Sequence, residues 1–155
     1  MNLNRHYILD ENHRPVPVDL MTDLMTWGRF FENIDNRRVA LTYTKTHFIS
    51  TVFLGINHQF GKGPPILFET MSFERTARRV EDPDGTSREH FPDSECHRYS
   101  SWDDALNGHK AMVRRYLRLE FEADENMRQL KADMQKVATA LNETFSERQV
   151  IHHDE

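Results

Sequence analysis

The sequence predicts an α+β fold: a small antiparallel sheet covered by two helices, with a long C-terminal helical extension. Three observations carry this. Residues 48–56 and 66–73 are runs rich in β-branched and aromatic side chains, separated by a loop holding Gly61, Gly63, Pro64 and Pro65. Leu20, Leu24, Trp27, Phe31 and Ile34 recur at helical spacing. From Trp102 onward an apolar stripe broken only by His109 and Glu120 recurs at alternating spacings of four and three, running to Leu141.

Along the chain, Tyr7–Leu9 reads as a short strand. A turn at residues 10–13 leads to Pro15-Val16-Pro17-Val18, whose prolines withhold ladder donors and so assign it to an edge. Asp19 stands where an N-cap belongs, opening a helix to about residue 33 that should lie on the sheet, with Gly28 allowing close approach to a strand. Val39–Thr44 alternates as a half-buried strand. The run 48–56 is apolar on both faces, which predicts a central strand. In 66–73, alternation sets Glu69 on one face with Leu67, Met71 and Phe73, a costly place for an unpaired carboxylate; Arg98 is one candidate partner. The stretch 74–98 carries charge, Pro83, Gly85 and Pro92 with little periodicity, and reads as a long mobile excursion. Ser101 with Asp104 resembles a capping box at the start of the last helix.

The expected organisation is an α+β domain over residues 1–121, a C-terminal oligomerising helix over 122–148 and a flexible tail over 149–155. In the helix, Leu130, Met134, Val137 and Leu141 would face a second copy of the chain. The 155 residues suit one domain. A net charge of -5 argues against a general phosphate-backbone binder, and Arg75, Arg78, Arg79, Arg88, Arg114, Arg115 and Arg118 read as solvated charge. The single Cys96 excludes an internal disulfide framework, and no apolar run approaches the ~18 residues that span a bilayer. The expectation is a cytoplasmic protein.

The loop from Asn57 to Pro65 is longer than a hairpin needs and carries His58, Lys62 and two glycines. Gly61 and Gly63 N–H groups can cradle a phosphate, with Lys62 as counter-charge, although plain turn chemistry also accounts for the residues. The expected ligand-binding set is Asn57, His58, Gly61, Lys62, Gly63, Glu69 and His109. A competing reading makes His58, Glu69 and His109 a metal-dependent hydrolytic site with Glu69 as general base. No pair of ligand-type residues has the spacing of a zinc module, no nucleophile motif is present, and His109 on an apolar stripe also reads as a core histidine. The residues call for no cofactor.

The segments YILDENHRPVPVDL, STVFLGINHQFGKGPPILFETMSF and RYSSWDDALNGHKAMV together resemble a family of small uncharacterised proteins encoded by tailed bacteriophages and prophages. The resemblance covers about residues 7–113. The segment 74–97 is longer than in that family and lacks its glycine-rich acidic link, and the last helix continues well past the family's usual end. The resemblance implies an accessory protein of an infected or lysogenic cell with a non-enzymatic binding role. Anti-defence action would work by holding a host protein or sequestering a nucleotide-like ligand. A structural or assembly role in the virion is the remaining alternative.

Overall fold

The computed structural model describes residues 5–150, with side chains as far as residue 140. Among these residues eight strands and two α-helices follow in the order β1 (His6–Leu9), β2 (Pro15–Val18), α1 (Leu20–Glu32), β3 (Arg38–Tyr43), β4 (His47–Phe53), β5 (Phe68–Glu74), β6 (Arg78–Glu81), β7 (Ser87–His90), β8 (Asp93–Tyr99) and α2 (Trp102–Val150), with a short 3-10 helix, Ile34–Asn36, before β3. The class is α+β with antiparallel pairing throughout. A four-stranded sheet has the order β3-β4-β5-β8, while β1-β2 and β6-β7 are separate two-stranded sheets. Contacts divide the chain into two units, Met1–Leu117 and Arg118–Glu155.

In the first unit, alternation decides what is buried. Ile49, Thr51 and Phe53 of β4 and Phe68, Thr70 and Ser72 of β5 are fully buried on one face of the sheet, beneath Ala105, His109, Met112 and Tyr116 of α2. Two apolar clusters result. One gathers Tyr7, Leu9, Phe53, Leu67, Phe68 and Ala105; the other gathers Ile49, Met112 and Tyr116. The opposite face carries Phe48 stacked on Phe73 at 4.8 Å, with Tyr43 and Phe91 against Phe48, and Tyr43 is 63% exposed.

Several expectations are corrected. The stretch 74–98 is not an excursion: it supplies the hairpin β6-β7 and then β8, which pairs with β5 from Phe68↔Tyr99 to Phe73↔Asp93. The main sheet therefore takes its fourth strand from beyond residue 73, and β1 and β2 form their own small sheet. Only the second half of α1 is covered. Phe30 and Phe31 pack on the cluster around Phe53, whereas Met21, Leu24 and Met25 are exposed. Asp19 does cap α1, its Oδ1 accepting from Met21 N–H at 2.9 Å. Gly28 makes no close approach, since a Cβ there would meet nothing within 4 Å.

The glycines of close approach are Gly55, against the Phe31 ring, and Gly108. A Cβ at Gly108 would stand 2.0 Å from the Tyr99 hydroxyl, so Gly108 lets α2 settle against β8. Arg115 of α2 reinforces the contact by donating to Glu95 of β8 at 2.6 Å.

In the second unit, every residue from 121 to 140 is exposed, including Met127, Leu130, Met134 and Val137 of the expected oligomer stripe. The Leu141 side chain lies outside the described residues. So does most of the expected tail; only Gln149 and Val150 are described, as the end of α2. Among the described residues no helix is long and apolar enough to cross a membrane.

Two substitutions test this packing by thermal or urea denaturation. Gly28→Ala should stabilise by up to about 1 kcal/mol, the helix-propensity difference, because nothing obstructs the methyl. Gly108→Ala should destabilise by about 1–3 kcal/mol, because Tyr99 and the α2 backbone must move apart.

Candidate functional site

The segment between β4 and β5 is pinned at its base and open at its tip. Leu54 N–H donates to Leu67 O at 2.7 Å, and His58 N–H to Ile66 O at 3.0 Å. Asn57 Oδ1 accepts from both Gln59 N–H at 2.8 Å and Ile66 N–H at 3.0 Å, closing the neck. The chain before β1 is drawn to the same place: Asn57 N–H donates to Arg5 O at 2.8 Å, and His6 bridges to Ile56. Beyond the neck the glycines carry the reversal, with φ of 106° at Gly61 and 147° at Gly63, conformations that L side chains rarely adopt.

This loop walls a cavity of 720 Å³ whose lining includes Arg5, His58, Phe60, Gly61, Lys62 and Gly63, and no carboxylate. Phe60 is 92% exposed. Among the described residues, the N–H groups of Phe60, Gly61, Lys62 and Gly63 have no hydrogen-bond partner. Two basic side chains, an imidazole, unengaged amides and an accessible aromatic face thus surround one space. That combination suits a small anion bearing a flat group.

Asn57, His58, Gly61, Lys62 and Gly63 are therefore brought together, with Asn57 shaping the neck. Glu69 and His109 are not part of this cavity. Glu69 shares a face of β5 with Met71 and Phe73, as its alternation indicated, and accepts from Arg98 Nε at 2.7 Å. The ion pair accounts for the carboxylate. His109 lies across β5, on the face of Thr70. Its Nε2 is 2.8 Å from Thr42 Oγ1 and its Nδ1 is 2.8 Å from Thr51 Oγ1, which is in turn 2.7 Å from Thr70 Oγ1. With both ring nitrogens engaged, His109 is a core histidine. The triad of His58, Glu69 and His109 does not assemble: Glu69 projects from one face of β5, His109 of α2 packs against the other, and His58 lies in the loop. Among the described residues, no group of three His, Cys, Asp or Glu side chains could hold a metal ion.

Arg5 and Phe60 are cavity residues that the spacing arguments passed over. Phe60 was legible as an aromatic side chain among turn formers. Arg5 was not, because its place depends on the pairing of β1's first residue with Ile56. The arginines of the charged stretches are largely balanced: Arg78 pairs with Glu74, Arg88 with Asp82, Arg115 with Glu95 and Arg118 with Glu122. No family model, curated protein or solved structure matches the chain.

Burial lowers the His109 pKa from its ordinary value of 6.5 and keeps the ring neutral. As pH falls below about 6.5, the unfolded chain takes up a proton that the folded ring still refuses. This contribution to stability is complete above that pH and is lost progressively as pH falls towards the folded pKa. Urea denaturation between about pH 7.5 and 5 should show stability declining with acid, and His109→Gln, which keeps one donor and one acceptor, should flatten the slope. An equally steep slope in the variant would assign the effect elsewhere.

Proposed function

We propose that this chain is a binding protein that holds a small anionic, nucleotide-like ligand in the cavity between Arg5 and the loop 57–65. One observation carries the reading: the cavity offers Arg5, Lys62 and His58 beside unengaged amides and the exposed Phe60 ring, with no carboxylate in its lining. Its 720 Å³ is within the usual range for small-molecule sites, about 300–1,000 Å³. Binding without turnover is the simpler role, because Glu69 and His109, two of the three residues considered for hydrolysis, lie to opposite sides of β5 and outside the cavity that His58 lines. The resemblance to phage-encoded proteins supplies the setting: an accessory protein in the host cytoplasm that sequesters a nucleotide signal and so blunts host defence. A host protein as the target, or a place in the virion, are the alternatives this setting leaves.

Isothermal titration calorimetry with inorganic pyrophosphate as probe tests the site. Wild-type protein should bind it, and Lys62→Ala or Arg5→Ala should weaken binding by about tenfold each, the loss expected of one charge-assisted contact. Absence of pyrophosphate binding at millimolar concentration would overturn the anionic-site reading.

We propose in addition that residues 122–148 pair with a second copy of the chain. Met127, Leu130, Met134 and Val137 are 52–64% exposed and follow the alternating four-three spacing that two like helices can share. Leu130→Asp with Val137→Asp should lower the mass measured by light scattering; an unchanged oligomer would contradict the pairing.

A further inference from the structure

We propose that the ligand spans two cavities that meet at Gln59, its phosphates on the Arg5 and Lys62 side and its ribose and base beside Asp104 and Asn107. This deepens the anionic-ligand reading and rests on it. The second cavity has a volume of 560 Å³ and is lined by Gln59, Arg98, Ser100, Asp104 and Asn107, among others. Gln59 lines both spaces, and the adjacent Pro64 and Pro65 line one each, so the loop 57–65 is the wall between them. Its base is held by Asn57 and its tip is open, which leaves a ligand room to cross it.

The two spaces differ in charge. The first has Arg5 and Lys62 with no acidic partner in the lining. In the second, the charge of Arg98 is offset by Asp104 and by Glu69, which already accepts from Arg98 Nε. A second phosphate would gain little there, whereas an uncharged polar group would find hydrogen-bonding groups on several sides. The side-chain amide of Asn107 has no hydrogen-bond partner among the described residues and offers one donor and one acceptor group, the complement of a base edge. Asp104 Oδ2 accepts from Ser101 in the capping box at 2.6 Å, leaving Oδ1 to accept from ribose hydroxyls. Both residues lie in the first turns of α2, whose placement is set by the Gly108 contact with Tyr99.

Calorimetry on the full chain with pyrophosphate and with ADP, GDP, CDP and UDP separates the parts. At least one nucleoside diphosphate should bind tenfold or more tightly than pyrophosphate. Asn107→Ala should remove most of that advantage while leaving pyrophosphate affinity unchanged, which also serves as the check that the variant is folded. Lys62→Ala should weaken both probes. If Asn107→Ala leaves the preferred nucleotide unaffected while Lys62→Ala weakens it, the ligand occupies one cavity and the two-cavity proposal is overturned. If neither probe binds wild-type protein, the anionic-site reading falls with it.

Discussion

A layer of hydroxyls around one histidine determines how the sheet and its covering helix fit together. His109 enters the buried face of the sheet between the apolar cluster of Phe53, Phe68 and Ala105 and that of Ile49, Met112 and Tyr116. Along β4 the buried order is Ile49, Thr51, Phe53, and along α2 it is Ala105, His109, Met112, so polar meets polar and apolar meets apolar in only one register. Displacing α2 by a residue would take the imidazole away from Thr42 and Thr51 and leave its ring nitrogens without partners in a buried space, at a cost of about 1–3 kcal/mol for each orphaned group, while Thr51 and Thr70 kept only each other. Ser72 with Tyr116 repeats the device one step along, their hydroxyl oxygens 2.7 Å apart.

The proposed binding surface follows from that register. Fixing α2 on the sheet fixes the faces it turns elsewhere: Gly108 against Tyr99, and Asp104 and Asn107 at the edge where the loop 57–65 stands. The loop is held from the other direction by β4 and β5, whose ends are tied by Leu54 and Leu67, and by the chain entering β1, which delivers Arg5. Rigid elements thus present a short open segment with four unengaged amides. Such an arrangement keeps the ordering cost of binding low.

How much of this was legible depends on where each signal resides. β4 and β5 were plain because the runs that hold them are rich in β-branched and aromatic side chains and are separated by a glycine- and proline-rich loop. β8 was hidden: Asp-Ser-Glu-Cys-His-Arg-Tyr has no apolar alternation, and it is a strand because β5 offers it a ladder and Glu69 offers Arg98 an ion pair. Tertiary pairing overrode local propensity there. The stripe of α1 promised more burial than it delivers, since Leu24 stays exposed while Phe30, off the stripe, is packed. At the site, the glycines and Lys62 announced an unusual loop by their chemistry. Arg5 and Asn107 come from distant parts of the chain, and only the folded register brings them to its two sides.

Whether the loop cavity holds a small anionic ligand is read directly by native mass spectrometry of the protein purified from nucleotide-signal-producing bacterial cells. A species heavier by the mass of a nucleotide is expected, absent from Lys62→Ala protein prepared in parallel. A mass equal to that of the bare chain or its oligomer, the same in wild type and variant, would contradict it and turn attention to a protein partner.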